Sequence, residues 1–190
     1  MSAHTGRLLL SPEDPFLAPD RALLTATLSD AGFLGEALSG QIGAFSIGER
    51  FLQLLTFTGC SVNVAQAPDG DVPFCHIRFT GPFERPRFQS GRNTRPPRCP
   101  SCRNQLVNWK MRLANGKEAD SAAITCPTCG ETSPPWAYDW KQKAGFGRLL
   151  IRIEEVFPGE AVPTPELMDL LQSSAGCSWR YFYLQDDGPL

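Results

Sequence analysis

Residues 99–130 read CPSCRNQLVNWKMRLANGKEADSAAITCPTCG and contain two Cys-x-x-Cys pairs, each with proline after its first cysteine. A turn of this kind directs two sulfurs at one ion, so two turns supply the four thiolates of a tetrahedral site. The spacing therefore predicts a zinc site, with iron as the alternative metal. The predicted ligands are Cys99, Cys102, Cys126 and Cys129.

A site with four protein ligands is closed, because no coordination position is left at which water could be activated. The pattern therefore favours a structural ion over a catalytic one. Two disulfides or four unrelated buried thiols are the alternative for these cysteines, and the spacing shared by both pairs favours the metal. The other three cysteines are expected to be small buried side chains in a reducing compartment. They are Cys60, Cys75 and Cys177.

The two turns resemble those of the zinc-ribbon and rubredoxin-like superfamily, in which hairpins present Cys-Pro-x-Cys-Gly turns to the metal. The second turn, 126–130, matches this pattern fully, whereas the first has Arg103 in place of the glycine. The resemblance implies a metal site but no particular function, because ribbons occur in polymerase subunits, RNA-binding proteins, enzymes and adaptors. The rest of the chain resembles only uncharacterised bacterial proteins.

The length and composition of the chain predict one domain with a core and a small appended module. There are 190 residues, of which 42% are apolar. The N-terminal stretch MSAHTGRLLLSPEDPF has one leucine triplet that polar residues and proline interrupt, so we expect neither a signal peptide nor a membrane span. A cytoplasmic location is therefore expected. The predicted organisation is an irregular arm (1–19), a host domain (20–90 and 141–190) and an inserted zinc-ribbon module (91–140).

Helix and strand signals alternate in the host domain. Asp20 and Thr164 are typical N-caps, and they predict helices over about 21–31 and from Pro165 to Gly176. A third helix is expected over about 47–57, where a strand is the alternative, and the glycines of 32–48 suggest a loop. Alternating or β-branched runs predict four strands, at 74–80, 84–89, 148–156 and 179–184.

These elements predict an α+β fold, with a small mixed sheet, about three helices and an inserted zinc ribbon. The two strands on either side of the helix that follows Thr164 are expected to pair in parallel through a right-handed crossover.

The net charge of −2 conceals a basic segment. Residues 78–152 contain fourteen Arg or Lys against five Asp or Glu, whereas the remainder contains four against fifteen. Arginine forks pair with phosphate and aromatic rings stack on bases, so nucleic acid or a ribonucleoprotein is the first predicted partner. The residues predicted to bind it are Arg85, Arg87, Arg92, Arg95, Arg98, Arg103 and Trp109.

Three alternatives remain for this basic segment. It could contact an acidic protein surface, which would make the protein an adaptor or complex subunit. It could also dock on the acidic flanks of its own chain, or simply present a solvated charged face. The aromatic run PPWAYDW at 134–140 could bind a partner, but we expect it to pack the ribbon against the host domain.

An enzyme that uses a nucleophile has few candidate residues in this chain. The two histidines are His4 and His76, and the least implausible pair is Cys60 with His76. The glycines of 145–148 precede a predicted strand and not a helix, so they do not form a dinucleotide-binding loop. The expected function is therefore non-enzymatic macromolecular binding, and the sequence indicates neither the partner's identity nor the oligomeric state.

Overall fold

The structure, a computed structural model, describes residues 6–58, 74–114 and 123–185. It has the predicted α+β class, with four α-helices and a six-stranded main sheet. In chain order, the elements are β1 (Gly6–Pro12), α1 (Arg21–Asp30), β2 (Leu34–Ala37), β3 (Ala44–Ile47), α2 (Phe51–Leu54), β4 (Leu55–Phe57), β5 (Ile77–Thr80), β6 (Arg87–Ser90), α3 (Trp109–Ala114), β7 (Ile124–Thr125), β8 (Thr132–Ser133), a 3₁₀ turn (Pro135–Ala137), β9 (Ala144–Gly147), β10 (Leu150–Glu154), β11 (Ala161–Pro163), α4 (Pro165–Ala175) and β12 (Trp179–Gln185).

The main sheet has the strand order β12-β1-β10-β5-β3-β2. Every neighbouring pair in it is antiparallel. The expected parallel pairing of the two strands around α4 is therefore wrong, because β1 lies between β10 and β12 and pairs antiparallel with both. The two strands run in the same direction but are one strand apart.

The irregular arm predicted for residues 1–19 is also wrong for residues 6–12, which form β1 in the interior of the sheet. The physical reason is the leucine triplet, whose three side chains are fully buried. Leu8 and Leu10 join the main core, while Leu9 packs on the opposite face with Leu150 and Phe182. Because both faces of β1 bury leucine side chains, the burial of apolar surface stabilises this segment more in the interior of the sheet than it would at a solvent-exposed position.

Capping chemistry defines the two longest helices as predicted. The Asp20 carboxylate accepts hydrogen bonds from the backbone N–H groups of Ala22 and Leu23 at 2.7 and 3.0 Å, which satisfies the first turn of α1. The Thr164 hydroxyl accepts from the N–H of Leu167 at 3.3 Å, and α4 ends at Gly176 with φ of 65°. Their buried leucines pack in the main core, and they are Leu24, Leu28, Leu167 and Leu171.

Two segments differ from their predicted structure. Residues 32–48 contain the hairpin of β2 and β3, and not a loop, because the positive φ angles of Gly40 and Gly43 allow a tight connection between two strands. Residues 47–57 adopt both of the expected forms in turn, a single helical turn (α2) followed directly by β4. The division into a host domain and an inserted module stays a prediction.

The chain enters and leaves the cysteine-rich region along the edge strand β12. The Asn93 side chain donates to the carbonyl of Tyr183 and accepts from the N–H of Gln185, both at 2.9 Å. The N–H of Tyr183 donates to the carbonyl of Gln142 at 2.9 Å. Segments on both sides of the cysteine-rich region are thus hydrogen-bonded to one strand of the main sheet. In the part of the chain that the structure describes, no helix has the length and apolar character required to cross a membrane.

Candidate metal centre

The four predicted ligands come together in the structure. Their sulfur atoms all lie within 4.8 Å of one another. Cys99 Sγ is 3.8 Å from Cys129 Sγ, and Cys102 Sγ is 3.7 Å from Cys126 Sγ. A disulfide requires an S–S distance of about 2.05 Å, and all four cysteines are free. The disulfide alternative is therefore absent at this cluster.

The spacing fits a tetrahedral metal site. Four sulfurs at a metal–sulfur distance of about 2.3 Å lie about 3.8 Å apart when they occupy the corners of a tetrahedron. The two cross-turn distances of 3.7 and 3.8 Å agree with that value. The residues present could thus hold one metal ion with four protein ligands.

The two cysteine turns have the same backbone hydrogen bonds. In the first, the N–H of Cys99 donates to the carbonyl of Asn104 at 2.9 Å, and the N–H of Arg103 donates to the carbonyl of Cys99 at 3.1 Å. In the second, Cys126 donates to Glu131 at 2.8 Å and Gly130 donates to Cys126 at 2.9 Å. The proline and spacing of each turn therefore produce one local structure twice.

The hydrogen bonding around the sulfurs lowers some thiol pKa values and raises others. The N–H groups of Cys129 and Thr128 lower the pKa of Cys126 to about 6. The N–H of Asn104 lowers that of Cys102, and the Asn104 side-chain amide donates to the same sulfur at 3.5 Å. At Cys129 the N–H of Glu131 acts in the lowering direction, but partial loss of hydration and the adjacent sulfurs raise the pKa to about 12. Four thiolates this close require a cation to neutralise them.

Exposure differs between the two cysteines of each turn. Cys99 and Cys126, the first of each pair, are buried, whereas Cys102 is half-buried and Cys129 is exposed. The centre thus has one side against the protein interior and one side toward solvent.

An aromatic cluster supports the buried side of the centre. The ring of Phe88 lies 4.9 Å from Trp140 and 4.7 Å from Phe146, and Trp109 lies 5.3 Å from Trp140. Cys99 and Cys126 belong to the same buried cluster. Because Phe88 and Phe146 are partners in the β6–β9 pair, the cluster joins the cysteine turns to the strands that flank them.

The aromatic run 134–140 packs inside the protein, as we expected. The Tyr138 hydroxyl donates to the carbonyl of Ile124 at 2.9 Å, and the Trp140 indole donates to the carbonyl of Pro135 at 3.0 Å. Trp136 makes an edge contact with Phe16, with ring centroids 5.0 Å apart. This run therefore fastens the second cysteine turn to the rest of the chain.

Asp139 is a residue of the site that the sequence reasoning missed. Its carboxylate Oδ2 is 2.7 Å from Arg103 Nη2 and 2.9 Å from Lys141 Nζ. Burial alone would raise the pKa of Asp139, but hydrogen bonds from Lys141 and Arg103 outweigh it and lower the pKa to about 2. The aromatic run around Asp139 does not predict the ion pairs of this carboxylate. They depend on the backbone bridge between residues 139 and 98, which are distant in the sequence.

The structure separates the predicted nucleic-acid-binding residues into different environments. Arg103 is paired with Asp139, and the Arg87 guanidinium lies 4.3 Å from the centre of the Phe83 ring. Arg85 is exposed and has further interactions within the chain. The remaining three arginines of the predicted set are exposed and form no ion pair with any residue among 6–58, 74–114 and 123–185. These are Arg92, Arg95 and Arg98.

Trp109, which is predicted from the sequence to stack on bases, is buried in the structure. Its side chain is 8% exposed and packs edge-on against Phe88 and Trp140. A ring needs an open face to stack on a base, and burial in the aromatic cluster removes it. Trp109 has basic neighbours in the sequence, but in the structure its side chain packs α3 beneath the first cysteine turn.

The nucleophile pair considered from the sequence cannot be assembled from the described residues, because Cys60 and His4 lie outside them. His76 is half-buried before β5, with its Nδ1 2.9 Å from the carbonyl of Phe74. Cys75 is buried, and burial together with Glu155 and Glu154 raises its pKa to about 12. Its thiol is therefore protonated at neutral pH and is an inert core side chain, as expected.

Comparison of the chain with protein-family models, with curated proteins and with solved structures finds no match. The function is therefore inferred from the geometry of the cysteine cluster and its surroundings.

Proposed function

We propose that the four cysteines bind one zinc ion and that this ion stabilises a zinc-ribbon module. The observation that carries the proposal is the sulfur spacing, 3.7 and 3.8 Å across the two turns. When bound, zinc would neutralise the thiolates and link the two turns, with no open position for catalysis. A structural zinc site of this type contributes on the order of 10 kcal/mol to folding, which a module with one small aromatic cluster requires.

We further propose that the module serves as a non-enzymatic binding surface, with nucleic acid as the first candidate partner. The supporting observation is the set of exposed arginines at 92, 95 and 98, which directly precede the first cysteine turn. Guanidinium groups bind phosphate bidentately. Because Trp109, Tyr138 and Trp140 are buried, this mode of binding would use the phosphate backbone and not base stacking.

A protein partner with an acidic surface is the second candidate. The burial of Trp109, Tyr138 and Trp140 favours it, because these residues would otherwise supply the planes that nucleic-acid binders use. On this proposal the protein is an adaptor or complex subunit, and the same three arginines form its contact surface. A cytoplasmic location fits both candidates, because a reducing compartment keeps the thiols available for metal.

The metal proposal is tested by elemental analysis of protein purified without added metal. One equivalent of zinc per chain is expected, and replacement by cobalt should produce the absorption bands of tetrahedral thiolate coordination. Iron at one equivalent would identify the alternative metal. Less than a tenth of an equivalent of any transition metal, in protein whose thiols are reduced, would refute the proposal.

The partner proposal is tested by fluorescence anisotropy with a labelled single-stranded RNA over a range of salt concentrations. Phosphate contacts release counterions, so affinity should fall steeply as salt rises. The triple variant R92A/R95A/R98A should bind more weakly and have a shallower salt dependence. The matched control is Arg50→Ala, which removes a partly exposed arginine that pairs with Glu166 away from the module. If wild-type protein fails to bind at low salt, the acidic protein partner becomes the leading candidate.

A further inference from the structure

The main sheet carries a second group of charged residues that is separate from the metal centre. Arg78 in β5 and Arg152 in β10 are directly opposite each other in the antiparallel register. Residues in this relationship project from the same face of a sheet, and like charges there repel each other. Both side chains are half-buried, where water screens the repulsion less than at an open surface.

The carboxylate nearest to this pair is already shared by two arginines. Glu154 Oε1 is 2.9 Å from Arg152 Nη2, and Glu154 Oε2 is 3.2 Å from Arg7 Nε. Glu154 thus directs one oxygen at each neighbour, and its side chain is 12% exposed. It compensates Arg152 and Arg7 but leaves the charge of Arg78 without a carboxylate of its own.

Arg78 contacts neutral groups. Its Nη2 atom donates to the side-chain carbonyl of Gln41 and lies 3.4 Å from Nε2 of His76. Within residues 6–58, 74–114 and 123–185, no carboxylate lies within ion-pair distance of Arg78. On the opposite face, Ile77, Ile151 and Ile153 are fully buried in the main core. The strands that carry the guanidinium groups are therefore held rigidly.

We propose that Arg78 and Arg152, with His76 beside them, form a binding site for a phosphoryl anion. An oxyanion placed between the two guanidinium groups would accept hydrogen bonds from both and replace their repulsion by attraction. The phosphoryl group could belong to a small phosphorylated molecule or to a nucleic-acid backbone. This site goes beyond the proposed zinc-ribbon function, because it lies on other strands and uses none of the residues of that module.

The test is a titration of the full-length protein with inorganic phosphate, and in parallel with pyrophosphate, at ionic strength matched by potassium chloride. The chain has two histidines, so the ring signals of His76 can be assigned in an NMR spectrum with the variant His4→Gln. We expect phosphate to shift the His76 signals. We also expect an unfolding midpoint raised by about 5–10 °C when phosphate is present at a hundred times its Kd.

The variant Arg78→Gln should abolish both effects of phosphate. In phosphate-free buffer of low ionic strength it should also unfold at a higher temperature than the wild type, because the like-charge repulsion is gone. Arg78→Lys keeps the charge but lacks the bidentate fork, and we expect at least a tenfold loss of phosphate affinity in it. Arg50→Gln is the matched control, and it should behave as the wild type does.

The proposal is overturned if neither anion shifts the His76 signals, or if Arg78→Gln and Arg78→Lys both bind phosphate as the wild type does. A short single-stranded RNA forms the third arm, and whichever ligand shifts His76 at the lowest concentration identifies the source of the phosphoryl group. The variant R92A/R95A/R98A should retain the inorganic phosphate response, so failure of this site and failure of the proposed module surface are distinguishable.

Discussion

Arg103 and Gly130 hold equivalent positions in the two cysteine turns, and their φ angles are 63° and 76°. Each follows the second cysteine of its turn and donates its N–H to the carbonyl of the first. Glycine adopts this left-handed conformation without steric cost, whereas a residue with a Cβ does so at about 1–2 kcal/mol. Arg103 therefore keeps the backbone geometry of the second turn without its glycine, and its side chain reaches Asp139.

We predict that Arg103→Gly leaves the metal site and the fold intact. Glycine relieves the strain of the left-handed backbone, which stabilises the variant. The variant also loses an exposed ion pair and has a more flexible unfolded chain, and both effects destabilise it. Because these effects nearly cancel, the free energy of unfolding should change by less than about 1 kcal/mol. Arg103→Val should instead destabilise by about 1–3 kcal/mol, because a branched side chain tolerates positive φ poorly. Urea unfolding of metal-loaded protein measures both. A larger loss of unfolding free energy in the glycine variant would mean that the ion pair contributes more than the relief of backbone strain.

Replacement of Cys126 by serine should release the metal and unfold the module while the main sheet stays folded. The lost binding free energy is on the order of 10 kcal/mol, and the main core does not include any of the four cysteines of the centre. Hydrogen exchange should therefore rise in residues 99–113 but not in β1. Cys177→Ser, which changes a thiol outside the cluster, serves as the control. Global unfolding of C126S would contradict this prediction.

Asp139→Asn should destabilise the metal-loaded protein by about 1 kcal/mol, since it removes two partly exposed ion pairs. The folded pKa of Asp139, about 2, lies below its ordinary value of 3.8. A carboxylate with a lowered pKa stabilises the fold above the unfolded pKa and loses this effect as pH falls toward the folded pKa. The difference between wild type and variant should therefore be constant from pH 5 to pH 8. A difference that shrinks within that range would show a higher folded pKa.

Asn93→Ala should loosen the connection between the module and strand β12. The side chain pairs with the backbone at Tyr183 and Gln185, and loss of two such hydrogen bonds costs about 1–3 kcal/mol. Amide exchange at Gln185 should accelerate relative to that of Leu9 in the sheet interior. Asn93→Asp retains the acceptor for Gln185 but places a negative charge beside the Tyr183 carbonyl, so we expect it to lose stability as well. Unchanged exchange at Gln185 in both variants would contradict the proposed contact.

Trp109→Ala should destabilise the module by about 3–5 kcal/mol, because it empties the centre of the aromatic cluster. The milder Trp109→Phe keeps an apolar ring and should fold. If the partner is nucleic acid, this variant should bind it with wild-type affinity, since Trp109 is buried and offers no stacking face. A tenfold loss of RNA affinity in folded W109F would restore Trp109 as a contact residue.

Local patterns were sufficient to predict several features of this protein. The cysteine ligand set followed from spacing alone, because a Cys-x-x-Cys turn depends on contacts within five residues. The helices at 21–30 and 165–175 followed from Asp20 and Thr164, whose side chains bond to backbone groups two or three positions ahead. The half-buried strand β5 followed from alternation, and Ile77 and Phe79 are indeed the buried residues in it.

The tertiary structure decided which distant segments meet. Residues 6–12 lie between β10 and β12, more than 130 residues away in sequence, and no local pattern specifies such a partner. Burial of Trp109 and the pairing of Arg103 with Asp139 depend on the same long-range packing. Local sequence specifies the four sulfur ligands and the helix caps, since these depend on neighbouring residues. Only the fold decided which rings are buried and which arginines remain exposed, since exposure is set by segments that are distant along the chain.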